Sequence, residues 1–237
     1  MRNEFPTLSA PPRRTLSEYV ADQLRQAIFL GQLQPGQRII EREVAEAMQT
    51  SRGPVRDALK LLESERLIVQ YPHKGASVAL LSLRDAEEVY SLREVLEMLA
   101  VDYVIQRAGD EQLDELDEFV VSMAAQAQRD YTEFEATDID LDFHRALCRI
   151  SGHRQVLAAW EALAPQIQML LLSHRTLQPT DFRERAVDYH HRLVHALRQR
   201  NRDLAHSLLR EHIASSFQSV ADSFKDQAED MEPRQQE

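Results

Sequence analysis

The sequence predicts a mainly α-helical protein: an N-terminal winged helix-turn-helix with a small β-hairpin wing, then a C-terminal all-α antiparallel helical bundle. Three observations predict it. The 237 residues are rich in apolar and charged side chains and hold only 6 glycines, a composition of folded helical chains. The stretch from Glu41 to Leu67, EREVAEAMQTSRGPVRDALKLLESERL, reads as two short helices joined by a tight turn. The charge also breaks. Residues 1–80 carry 11 Lys+Arg against 9 Asp+Glu, whereas residues 81–237 carry 17 against 30, so the net −11 belongs to the second part. Such a break marks two domains with different partners.

Taken in order, residues 1–14 are polar, hold three prolines and show no apolar period, which predicts a disordered segment. Leu16, Tyr19, Val20, Leu24, Ala27 and Ile28 mark one face of a helix from Thr15 to Leu30, ended by Gly31. Pro35-Gly36 makes a turn. Val44, Ala45 and Met48 give the next helix its apolar face, and Val55, Leu59 and Leu62 do the same for the helix after it. Ser51 is placed to cap that third helix, and Pro54 falls in its first turn, where a missing N–H costs nothing. Arg52 and Arg56, four apart, share a face at the positive end of the helix dipole. Two guanidiniums there can hold phosphates or reach guanine O6 and N7. Taken alone, the pair also suits an ordinary exposed helical hairpin. Two β-branched runs then flank Pro72-His73-Lys74-Gly75, a hairpin signal and therefore a wing. Lys74 at its tip can meet phosphate, and Gly75 allows close backbone approach.

From Ser82 the period is helical throughout. Helices are expected from Ser82 to Ala108 (ended by Gly109), from Asp110 to Arg129, from Tyr131 to Ile150 and from Arg154 to Ser173, with a kink at Pro165. Two more run from Pro179 to Arg200 and, after a turn at Asn201-Arg202-Asp203, to Phe224. Short connections predict antiparallel neighbours. The expected domains are residues 15–81 and 82–224, with a polar tail at 225–237. No apolar run approaches the roughly 20 residues that span a bilayer. The first residues lack the apolar stretch of a signal peptide, and the single Cys148 excludes an internal disulfide framework. These features point to the cytosol.

Residues 28–78 resemble the winged-helix domain of the GntR family of bacterial transcription regulators. The carrying residues are Pro35-Gly36, Glu41, Ala45, the run SRGPVRDAL from Ser51 to Leu59, Glu63, Leu67, Gly75 and Val78. The resemblance implies that Arg42, Arg52, Arg56 and the wing tip at Lys74-Gly75 contact double-stranded DNA, with Ser51 and Gly53 lining the helix start. Arg66 departs from it, since the family usually has glycine there, which suits a left-handed helix end.

Asp140 and His144, four apart on one helix face, can share a metal ion or simply pair on the surface. Antiparallel packing allows His190 and His212 to face the core nearby, and buried ionisable groups need such a partner. Residues 83–215 resemble the FCD domain of the FadR branch of that family, through Arg93-x-x-Leu96-Glu97, Asp140-x-x-Phe143-His144, Ser151-Gly152, His190 and His212. In metal-containing members one Asp and three His hold a divalent cation, which implies that role for Asp140, His144, His190 and His212. Zn²⁺ suits the set best, and Ni²⁺, Mn²⁺ or Fe²⁺ also suit it. Cys148 lies one turn further along and reads as a core residue rather than a thiolate ligand. His191 is held in reserve, and His195 and His206 read as solvated. Arg93, on an otherwise apolar face near Leu92, Leu96 and Leu99, either pairs with Glu97 or receives the carboxylate of a small effector. The function implied is a homodimeric, effector-responsive regulator, usually a repressor, that reads a short palindromic operator in the bacterial cytoplasm. Two rivals are a metal-dependent hydrolase, for which no general-base motif is found, and a DNA-binding protein whose metal is purely structural.

Overall fold

The computed structural model describes residues 15–71, 75–173 and 179–231 and divides into two compact units, one up to Ala79 and one from Leu80. In the first unit, Thr15 caps α1 (Leu16–Phe29). Its side chain accepts from the Glu18 N–H while Glu18 accepts from the Thr15 N–H. The buried face of α1 is Val20, Ala21, Leu24 and Ile28, with Phe29 behind them. Leu16 and Tyr19, expected on that face, are about half exposed, because burial begins only at Val20, one turn into the helix. The helix pair follows as α2 (Glu41–Ala47) and α3 (Arg52–Ser64). Val55, Ala58, Leu59 and Leu62 of α3 are fully buried, and the helix packs on α1. Each buried Val or Leu stabilises the unit by about 1.5–3 kcal/mol.

The wing is a three-stranded antiparallel sheet, with β3 (Gly75–Val78) between β1 (Arg38–Ile39) and β2 (Ile68–Tyr71). Ile39 pairs with Ala76, and Ile68 with Val78. Strand β1 was not expected, since two residues carry no alternation to read. Pro72, His73 and Lys74 lie outside the described residues, so the wing tip does too. Gly75 adopts φ +88°, a conformation that disfavours any side chain.

The end of α3 answers the question raised by Arg66. It adopts φ +59°, and the Leu67 N–H returns to the Leu62 carbonyl. The chain thus forms the left-handed helix end without the glycine that suits it. Arg66→Gly is therefore expected to stabilise the first unit by about 1 kcal/mol, read as a higher midpoint in urea unfolding.

The second unit holds α4 (Leu83–Arg107), α5 (Asp110–Ala127), α6 (Glu133–Ile150), α7 (Arg154–Ser173), α8 (Pro179–Arg198) and α9 (Arg202–Met231). Capping boxes start α4 at Ser82–Asp85 and α6 at Thr132–Glu135. Gly109, expected to end α4, instead precedes α5 as its N-cap, with φ −84° and ψ 175°. Asn201 caps α9 through its side chain, which accepts from the Leu204 N–H, so Arg202 and Asp203 are helical rather than a turn. Helix α9 also runs past Phe224 to Met231, through a segment of good helix formers. Helix α4 packs against α9, α7 and α6, while α8 packs against α5 and α9.

Helix α7 is rich in apolar residues and buries Trp160, Ile167 and Leu170 completely. By length and composition it is long and apolar enough to cross a membrane, contrary to the sequence expectation, and half of that stretch is buried inside the bundle. From Leu163 to Leu171 every residue but Pro165 is buried, the pattern of a central helix. Pro165 sits inside it and cannot donate to the Glu161 carbonyl, the condition for a kink.

Candidate metal centre and nucleic-acid interface

The first unit carries Arg42 on α2 and Arg52 and Arg56 at the start of α3, with Arg25, Arg38, Lys60 and Arg66 on other parts of the unit. Ser51 occupies the N-cap position of α3 with extended backbone, but its side chain makes no capping hydrogen bond. That exposed hydroxyl and the first N–H groups of α3 are thus open to an anion. Arg42, Arg52 and Arg56 are all exposed. Arg56 donates through Nη2 to Glu41 at 3.1 Å, and Arg42 lies 3.8 Å from Glu46. Both are solvent-facing pairs of the kind a phosphate can replace at little cost. At Gly53 an added Cβ would meet only the Ser51 hydroxyl, at 4.0 Å. The absence of a side chain there answers to no neighbour within the unit.

In the second unit, Asp140 and His144 on α6, His190 on α8 and His212 on α9 converge. One ligand atom from each lies within 4.8 Å of all the others. The Nε2 atoms of His144 and His212 are 3.2 Å apart, and those of His190 and His144 are 3.4 Å apart. Asp140 stands 3.4 Å from His190, 3.8 Å from His212 and 3.9 Å from His144. A tetrahedral cation with bonds of about 2.0–2.1 Å keeps its ligands about 3.3 Å apart. The spacing fits such a cation.

The atoms behind the ligands fit as well. His190 Nδ1 lies 2.6 Å from the Ala186 carbonyl and donates to it, which leaves the Nε2 lone pair for the centre. Glu97 Oε2 lies 2.7 Å from His144 Nδ1. Burial drives the His190 pKa down, and it outweighs the opposing pull of Asp140, leaving it at about 4. Burial, then His144 and His190, hold His212 well below the ordinary histidine range. Both are unprotonated near neutral pH, as ligation requires. Lone pairs of neutral imidazoles facing each other at 3.4 Å or less repel unless a proton or a cation lies between them.

Glu97 anchors a buried chain of contacts. It accepts from Arg93 Nε at 2.8 Å and from Trp160 Nε1 at 2.9 Å. Burial opposes its charge, but Arg93 and His144 outweigh that and hold its pKa far below the usual carboxylate range. Sequence reasoning named Glu97 only as the partner of Arg93; the histidine and tryptophan come from other helices and left no trace in local spacing. Glu97→Ala strands the Arg93 guanidinium without its counter-charge. It is expected to cost about 3–5 kcal/mol, measured by urea unfolding.

The remaining candidates separate cleanly. Arg93 is fully buried, and its two Nη atoms have no hydrogen-bond partner among the described residues. Leu92 and Leu99, expected beside it, are exposed, because Arg93 and Glu97 occupy the inward stripe of α4. Cys148 is buried outside the cluster, and burial raises its pKa first, Glu97 second. His191 and His195 are exposed. His206, expected to be solvated, is mostly buried and lies 2.8 Å from Asp102.

A cavity of about 520 Å³ opens onto the cluster through Asp140 and His212. Its walls are α8, with Arg185, Asp188, Tyr189 and Arg192, and α9, with Glu211, Ser215, Ser216 and Ser219. None of these side chains was singled out from sequence, since on paper they form the polar face of two amphipathic helices. Arg93 does not line this cavity.

Comparison with known proteins agrees with both units. Residues 16–78 match the family of bacterial regulatory proteins named gntR, and residues 88–215 match the FCD domain. The gluconate operon transcriptional repressor of Bacillus licheniformis is 30% identical over 78% of this chain and 76% of its own. Its namesake from Bacillus subtilis is 27% identical over 87% and 84%. The solved structure of McbR/YncC from E. coli superposes with a TM-score of 0.73 at 22% identity, covering 89% of this chain and 99% of that one, a likeness of fold. The matched families regulate transcription and are not enzymes, which removes the hydrolase reading. The chain belongs to the GntR family of DNA-binding transcription regulators, with an FCD domain after its winged helix.

Proposed function

We propose that the protein is a repressor in the bacterial cytoplasm whose grip on a short palindromic operator is released by a small organic acid. The acid binds beside a divalent metal held by Asp140, His144, His190 and His212. The observation that carries this reading is the cavity that opens onto two of those four side chains. A metal bound there supplies a Lewis-acidic seat for a carboxylate or hydroxyl oxygen. The chain does the rest. Glu97 and the Ala186 carbonyl fix two imidazole rings in the ligating tautomer. The unpartnered Nη atoms of Arg93 offer positive charge in the same interior, and Asp140 is among the groups that act on Arg93 electrostatically.

In the DNA-reading unit, Arg52 and Arg56 meet base edges or phosphates. Arg42, Lys74 and Gly75 also contact the DNA, and Ser51 and Gly53 line the helix start. A second copy of the chain supplies the other half-site. Leu92, Val95 and Leu99 on α4 support that, as an exposed apolar stripe at i, i+3 and i+7. The repressor titles of the two Bacillus relatives favour repression. Metal content after purification, followed by a thermal-shift series of organic acids on zinc-loaded protein, tests this reading. Bound metal and a rise in melting temperature with at least one acid are expected. Metal-free protein with full stability and no response to any acid would contradict it. Unfolding on chelation with no response to acids would favour a purely structural metal.

A further inference from the structure

Arg38 is the only charged residue in the three strands of the wing, RI, IVQY and GASV. Strand pairing fixes where it stands. Arg38 lies opposite Ser77 and Ser77 opposite Val69, so the three form one row across the sheet. Ile39, Ile68, Ala76 and Val78 are buried on the core face. Alternation therefore puts Arg38, Ser77, Val69 and Tyr71 on the other, outward face. Arg38, Val69 and Tyr71 are exposed there, and no acid stands beside them on the sheet.

The side chain also has a direction. A Cβ built on Gly75 would meet Arg38 Nε at 3.8 Å and the Ile39 carbonyl at 3.6 Å. Gly75 lies two residues from Ser77, about 7 Å along the strand. Arg38 thus reaches along the outward face to the backbone of Gly75. Among the described residues no hydrogen bond or ion pair holds its guanidinium. Arg25, Arg42, Arg56 and Lys60 of the same unit each face an acid. Strand β1 is an edge of the sheet, and a charge on an edge strand blocks pairing with another chain. That role needs exposure alone, and no reach toward Gly75.

We propose that Arg38 is a DNA contact of the wing and holds a backbone phosphate, an inference that rests on the DNA-reading role of the first unit. Neighbouring strands stand about 4.8 Å apart, and the minor groove of B-DNA is about 6 Å wide. When β3 brings Gly75 into that groove, a side chain based one strand to the side falls at the groove wall, which is the phosphate backbone. A guanidinium there binds phosphate bidentately and carries no sequence information.

The test is fluorescence anisotropy of a labelled operator, selected from random duplexes by the full-length wild type, over a series of salt concentrations. The variants are R38Q, which keeps most of the stem and loses the charge, R38K, which keeps the charge, and R66G. Arg66 is exposed at the far end of α3, so R66G controls for a lost charge away from the wing. R38Q should lower the slope of log affinity against log salt by about one for each protomer bound. At 0.15 M salt it should weaken binding about fivefold per contact, alike on the operator and on single-base variants of it. R38K should restore most of the slope, and R66G should leave it unchanged. The urea midpoint of R38Q should equal that of wild type. An unchanged slope in R38Q would overturn the proposal, and aggregation of that variant with the slope unchanged would assign Arg38 to guarding the edge. An equal fall in R66G would reduce the effect to bulk charge, and a changed base preference in R38Q would make it a base contact. A wild type that binds no duplex at low salt would remove the DNA-reading role itself.

Discussion

Replacing Arg52 and Arg56 with alanine is expected to abolish specific operator binding while the protein stays folded. Both side chains are exposed and neither takes part in the core of α1 and α3, so their loss leaves the packing intact. Each guanidinium that reaches a guanine edge contributes about 1–3 kcal/mol of discrimination. The two lie one turn apart and share neighbours, so their losses need not add. Salt separates the two kinds of contact. An arginine on phosphate lowers the salt dependence of binding by about one unit when removed, whereas an arginine on a base edge relaxes sequence preference. Gel shifts on a palindrome selected from random oligonucleotides, at two salt concentrations, read both. Wild-type affinity in both single variants would remove these residues from the interface. Arg56 also has to leave Glu41, 3.1 Å away, and the exposure of that pair makes the exchange cheap.

His144→Ala should empty the second unit of metal. His144 is the hub of the cluster, with its Nε2 within 3.4 Å of both other imidazoles and its Nδ1 against Glu97. Four-ligand zinc sites bind with about 10–16 kcal/mol, so one ligand accounts for about a quarter of that, a loss of two to three orders of magnitude in affinity. The same variant takes one contact from Glu97, which still keeps Arg93 and Trp160. The fold should therefore survive with a lower melting temperature, and DNA binding should survive with it. Elemental analysis of the purified variant is the direct check, and a full complement of metal would exclude His144 as a ligand.

Much of this was legible in the sequence because the signals were local. Ser51, Pro54 and the spacing of Val55, Leu59 and Leu62 place α3 without any knowledge of its neighbours. Ser82 with Asp85 and Thr132 with Glu135 do so for α4 and α6. What was not legible depends on partners distant in sequence. Strand β1 exists only because β3 offers it an edge. Leu16 and Tyr19 sit on the right face but before the point where packing begins. The four ligand candidates were named by motif. Glu97, by contrast, touches His144 and Trp160 across gaps of 47 and 63 residues. The cavity escaped entirely, since Arg185, Arg192 and the serines of α9 spell out a solvated helix face until another helix is set opposite them.

The central claim couples an acid beside the metal to release of DNA. It is tested most directly by fluorescence anisotropy of a labelled palindrome, titrated with zinc-loaded protein, chelator-treated protein and the H144A variant, each with and without the acid that raises the melting temperature. The acid should weaken operator binding of the zinc-loaded protein by about 5- to 150-fold, the range of ordinary allosteric coupling, and should leave the other two unchanged. Equal release from all three, or no release from the zinc-loaded protein, would contradict it.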